Sequence, residues 1–191
     1  LCRITQSSFS RICTIKSSEL FLREAVEGFV TITKKGKEEV YEEIIPQIDS
    51  LVRDESDLTA NLGNCTAVLK MAFPQNVSWV GFYLRKSHEL VLGPFQGKPA
   101  CVRIKMGQGV CGKAASEGRT VVVPNVAAFP GHIVCDPGSK SEIVVPVLRG
   151  SDVLGVLDLD SPLLSYFDEV DKNYLERIMK LILPKFEKQS L

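Results

Sequence analysis

A chain of 191 residues fits one domain with an extension, or two small domains. Lys+Arg and Asp+Glu are equal at 23 each, so there is no basic excess for nucleic acid, and no apolar run approaches the roughly 18 residues of a membrane span. Six cysteines are too few for a disulfide scaffold, no Cys-x-x-Cys occurs, and the two histidines, His88 and His132, give a metal site little to build on. Reduced thiols in a cytoplasmic protein are the default expectation.

Residues 1–18 are basic, serine-rich and free of acids. That composition suits an organelle transit peptide or a disordered tail, and organelle import follows if the segment is native. The basic break around residues 34–37 marks the expected boundary, with an N-terminal extension over 1–37 and the folded domain over 38–191. From Glu38 the spacing predicts a helix with Val40, Ile44, Ile45, Ile48, Leu51 and Val52 on one face. Pro46 predicts a kink, or a helix that starts later. Ser56 or Asp57 can cap a second helix whose stripe is Leu58, Leu62, Cys65, Val68, Leu69 and Ala72, with Cys65 as core filler.

Residues 77–86 read as a strand. Alternation places Trp79, Gly81 and Tyr83 on one face and Val80, Phe82 and Leu84 on the other. The first set suits a wall for a small ligand, and also an ordinary half-buried face. A hairpin partner follows over 89–95, and a third strand opens at Cys101. The glycine-rich turn 107–112 leads into a short helix, whose positive end would lower the thiol pKa of Cys111. It lacks the spacing of a phosphate loop. A short strand over 120–124 precedes a long connection to residue 141, expected to pack as a lid carrying Cys135 between His132 and Asp136. Two strands joined at Gly150 follow, and Pro146 predicts an edge strand or a bulge in the first. Asp158 and Asp160 share a face of the second. They form either a site or a solvated strand end. An amphipathic helix with Val170, Tyr174, Leu175, Ile178, Met179 and Ile182 closes the chain. The expected class is α+β, an antiparallel sheet of about six strands flanked by helices.

The segments WVGFYL, LVLGPFQGKPAC, GQGVCGKAA, FPGHIVCD, SEIVVPV and GVLDLDS occur in this order. Together they resemble the free methionine-(R)-sulfoxide reductases, stand-alone GAF-domain proteins, from about Glu38 to Glu187. The resemblance implies a GAF-like fold and thioredoxin-dependent reduction of free methionine (R)-sulfoxide through a cysteine sulfenic acid and an intramolecular disulfide, with no metal and no bound cofactor. It implies Cys135 as nucleophile and Cys101 as resolving cysteine, with Cys111 as the third and the alternative nucleophile. Trp79 and Tyr83 match its pocket wall, and Glu142, Asp158 and Asp160 its acidic substrate-binding and catalytic positions. Glu142 is the candidate acid. GAF domains often pair, so a homodimer is compatible. The competing class is a non-catalytic GAF sensor of a small molecule or of redox state.

Overall fold

The structure, a computed structural model, describes residues 36–133 and 135–187. Of the extension expected over residues 1–37, only Gly36 and Lys37 are among them. Helix α1, Lys37–Arg53, is followed by α2, Leu58–Ala72, and by strands β1, Trp79–Lys86, β2, Glu89–Gln96, and β3, Arg103–Lys105. Helix α3, Gly109–Glu117, β4, Val121–Val123, and a 3-10 turn at Val126–Ala128 lead to β5, Ser141–Arg149, β6, Asp152–Ser161, and α4, Glu169–Glu187. This is the expected order of elements. No helix of the described residues is long and apolar enough to cross a membrane.

The six strands form one antiparallel sheet in the order β3-β2-β1-β6-β5-β4. The last long strand therefore sits at the centre, between β1 and β5. Its register places Trp79 opposite Asp160 and Gly81 opposite Asp158 on one side, and Glu142 opposite Asp160 on the other. One face, through Val80, Phe82, Ile143, Val145, Leu157 and Leu159, is buried beneath α2 and α4. Each fully buried aliphatic side chain there contributes about 1.5–3 kcal/mol. The other face carries Trp79, Tyr83, Val144 and Val156, which pack with Val110, Cys111, Ala114 and Ala115 of α3.

Asp57, not Ser56, caps α2 by accepting from the Ala60 N–H at 2.8 Å. The predicted stripe of α2, Cys65 included, is buried throughout. Helix α1 starts at Lys37 and runs through Pro46, so the later start is ruled out. Pro46 lies on the exposed face, where the helix bond it removes leaves a carbonyl that water can satisfy. Tyr41 replaces Ile45 and Leu51 in the buried stripe, because its hydroxyl donates to Asp171 Oδ1 at 2.9 Å. Lys37 also bonds Asp171, at 2.5 Å, so two residues of α1 hold the start of α4. Pro146 is interior to β5, which is not an edge strand. Its neighbour β4 pairs only with Glu142, Ile143 and Val144, so no β4 ladder bond is lost at Pro146, and the strand is irregular between Val147 and Leu148.

Candidate active site

A cleft partly open to solvent lies between the α3 face of the sheet and the loop that carries His132, Cys135 and Ser139. Every sequence-predicted site residue lines it or borders it. Trp79, Tyr83, Cys111, Cys135, Glu142, Asp158 and Asp160 are in its wall. Cys101 is at its rim, joined to Cys135 by a disulfide across a Cα–Cα distance of 5.9 Å.

The aromatic wall is built by β1. Trp79 stacks on Phe95 and Tyr83, with ring centroids 5.5 and 6.1 Å apart. Gly81 gives the indole its place, since a Cβ there would fall 2.3 Å from Trp79 Cη2. Both aromatic side chains also hold the segment that leads to the disulfide. Trp79 Nε1 donates to the Lys98 carbonyl at 3.0 Å, and Tyr83 Oη donates to the Cys101 carbonyl at 2.9 Å. Cys101 therefore precedes β3 by two residues and does not open it, because its carbonyl serves Tyr83.

The acidic floor comes from β5 and β6. Glu142 and Asp158 are buried and Asp160 is half-buried. The sheet register brings them together, so the strand-end reading of the two aspartates gives way to a shared cavity floor. Burial, then the neighbouring charges of Asp158 and Asp160, pushes Glu142 well above the usual carboxylate range. Burial and Asp160 push Asp158 upward too, and burial raises Asp160 to about 6. Asp158 Oδ1 is buried without a hydrogen-bond partner among the described residues.

Cys111 lies in the first turn of α3 and donates its thiol hydrogen to Asp158 Oδ2 at 3.2 Å. A Cβ on Gly112 would meet the Lys105 carbonyl at 2.4 Å, so glycine lets this turn press against the end of β3. The expectation that the helix start lowers the Cys111 pKa is overturned. Burial, then the charge of Asp158, pushes it well upward. The thiol is held neutral in a crowd of carboxyl groups, and the helix dipole is too small to outweigh that.

Cys135 is exposed on the long loop. His132 lines the same cleft, with Nε2 3.7 Å from Glu142 Oε2, and burial lowers its pKa. Lys98, Ile133 and Ser139 are also among the lining residues and were missing from the sequence-based set. Lys98 carries no local signal, since only the folding of 97–101 over Trp79 brings it in. Val134 lies outside the described residues. Cys111, Glu142 and Asp158 each offer a potential ligand atom, all within 4.8 Å of one another. A neutral acid, two further carboxyl groups, an aromatic wall and a thiol pair at the rim suit redox chemistry on a small cationic or zwitterionic molecule.

The GAF domain family profile matches residues 57–182. The GAF domain-containing protein A of Dictyostelium discoideum is 52% identical over 152 residues, covering 79% of this chain and 95% of that protein. The free methionine-R-sulfoxide reductase of Saccharomyces cerevisiae is 42% identical over 153 residues, covering 76% and 85%. The X-ray structure of free methionine-R-sulfoxide reductase from Neisseria meningitidis, in complex with its substrate, is 50% identical with a TM-score of 0.79, covering 83% of this chain and 96% of that one.

Proposed function

The chain belongs to the free methionine-R-sulfoxide reductases of the GAF-domain family, and from that premise we propose that it reduces free L-methionine (R)-sulfoxide to methionine with two of its own thiols. The observation that carries the reading is the Cys101–Cys135 disulfide at the mouth of a cleft floored by Glu142, Asp158 and Asp160.

The substrate ammonium is held by Asp158 and Asp160 as a charge-assisted contact, with Asp158 Oδ1 free to accept from it. The methylthio end packs on the Trp79 indole. The Cys135 thiolate attacks the sulfoxide sulfur while Glu142, kept protonated by burial, gives its proton to the oxygen. The methionine sulfur–oxygen bond breaks. As methionine leaves, the bond between the Cys135 and methionine sulfurs breaks and the oxygen passes to Cys135 as a sulfenic acid. Cys101 attacks that sulfur, water departs and the disulfide closes. A thioredoxin-type dithiol then returns two electrons and two protons by exchange at the exposed Cys135 loop. His132, neutral beside Glu142, accounts for the polar lining between the loop and the acid.

The test is stoichiometric. Reduced protein mixed with racemic free methionine sulfoxide should form about one methionine per chain, consume only the R epimer, and turn over repeatedly when a thioredoxin system is added. A GAF sensor forms no methionine, and that result removes the proposal.

A further inference from the structure

We propose that the floor of the cleft is also a binding site for a thiophilic divalent cation, zinc above all, with Cys111, Asp158 and Glu142 as ligands and His132 as the fourth. The first three offer Sγ and carboxylate oxygens within 4.8 Å of one another. Cys111 Sγ is 3.2 Å from Asp158 Oδ2, and His132 Nε2 is 3.7 Å from Glu142 Oε2. Donors around a tetrahedral zinc, with metal–ligand bonds of about 2.0–2.3 Å, stand roughly 3.3–3.7 Å apart. The His132–Glu142 contact already has that spacing, the Cys111–Asp158 contact is slightly tighter, and the three framework donors need closure of at most about 1 Å, with His132 swinging in on its loop.

A second, independent feature points to a ligand here. Asp158 is 6% exposed, and its Oδ1 is buried without a hydrogen-bond partner among the described residues, although Cys111 and the Glu142 carboxyl both bond this side chain. A bound cation would satisfy that oxygen. One thiolate, carboxylates and an imidazole suit zinc, whereas calcium and magnesium take oxygen ligands alone. Cys111, Glu142 and Asp158 stand on α3, β5 and β6, so the framework is rigid. Only His132 comes from the loop, so metal binding also pins the loop shut. Metal and sulfoxide then compete for the same carboxylates. That competition rests on the substrate site proposed above; metal binding itself does not.

The experiment uses the full chain with Cys2→Ser and Cys13→Ser, oxidised so that Cys101 and Cys135 are closed to metal. Cobalt(II) is titrated in as the probe. The expected result is a thiolate-to-cobalt charge-transfer absorption that one equivalent of zinc abolishes. Cys111→Ser should lose the band, and Asp158→Asn should weaken zinc binding at least about tenfold. No charge-transfer band in the oxidised Cys2→Ser/Cys13→Ser protein overturns the site, and this reading needs no substitution within it. A band that survives Cys111→Ser overturns it as well. In the reduced enzyme, zinc should raise the apparent KM for the sulfoxide and leave kcat unchanged. A lowered kcat at unchanged KM overturns the shared location. Cobalt binding in a protein that forms no methionine leaves the metal site standing and removes the reductase reading alone.

Discussion

Lys98 Nζ lies 3.1 Å from Asp136 Oδ2, joining the segment three residues before Cys101 to the residue after Cys135. The Lys98 carbonyl is itself fixed by the Trp79 indole. Asp136 also accepts the Gly138 N–H, and that bond, then Lys98, holds its carboxyl below the usual range. Asp136 therefore stays ionised at neutral pH, and its contact with Lys98 draws together the two segments of chain that carry the disulfide.

Lys98→Ala should slow disulfide closure several-fold after methionine release, while leaving the methionine burst intact. Stability should change by less than about 1 kcal/mol, because the lysine is largely exposed. Stopped-flow measurement of closure at low and high salt checks this. The wild type should lose its advantage as salt screens the pair, and equal rates at low salt argue against a positioning role.

The cysteines divide by environment. Burial keeps Cys111 neutral, whereas Cys135 is exposed on its loop. Cys135→Ser should abolish the methionine burst. Cys101→Ser should give one methionine per chain but no turnover with thioredoxin. Cys111→Ser should retain the burst, and its loss would transfer the nucleophile to that residue.

The proposed chemistry needs Asp160 ionised and Glu142 protonated. The acid limb of kcat/KM should therefore fall at or above about pH 6, because burial raises Asp160 to about 6 and pushes Asp158, the other ammonium partner, upward too. The alkaline limb should follow Glu142, above the ordinary carboxylate range. Stability has the opposite sign. Between its ordinary value of 3.8 and about 6, Asp160 binds protons more tightly in the folded chain, so stability falls as pH rises through that window. Asp160→Asn should leave the thermal midpoint unchanged near pH 4 and raise it near pH 7, while KM increases. Calorimetry at the two pH values decides it.

Gly81→Ala drives a methyl group into the Trp79 ring and Phe95 Cβ. Such overpacking typically costs about 1–3 kcal/mol. The displaced indole should raise KM for the sulfoxide several-fold, with little effect on resolution by Cys101. Urea denaturation and steady-state kinetics report the two effects separately.

Local pattern made much of this legible. The period-two alternation of β1 and β6 assigned Trp79, Gly81 and Tyr83, and Asp158 and Asp160, to single faces, and the α2 stripe was readable in full. What local pattern could not carry was convergence. The meeting of Glu142, Asp158 and Cys111 depends on β6 lying between β1 and β5, a pairing of residues as far apart as Trp79 and Asp160. The same reason hid the donor set: its members have no motif spacing because they stand on different elements. Cys111 was misjudged because a helix start is visible in sequence and the burial that outweighs it is not.

The disulfide closes a ring of chain between residues 34 apart in sequence, enclosing β3, α3 and β4. A cross-link of that span restricts the unfolded chain by about 4 kcal/mol in the entropic account. If the proposed cycle operates, each turnover fastens and releases this ring, so resistance to unfolding rises and falls with every methionine made. Starved of reductant, the population would accumulate in its most durable form: inactive, protected from proteases and ready to resume when electrons return.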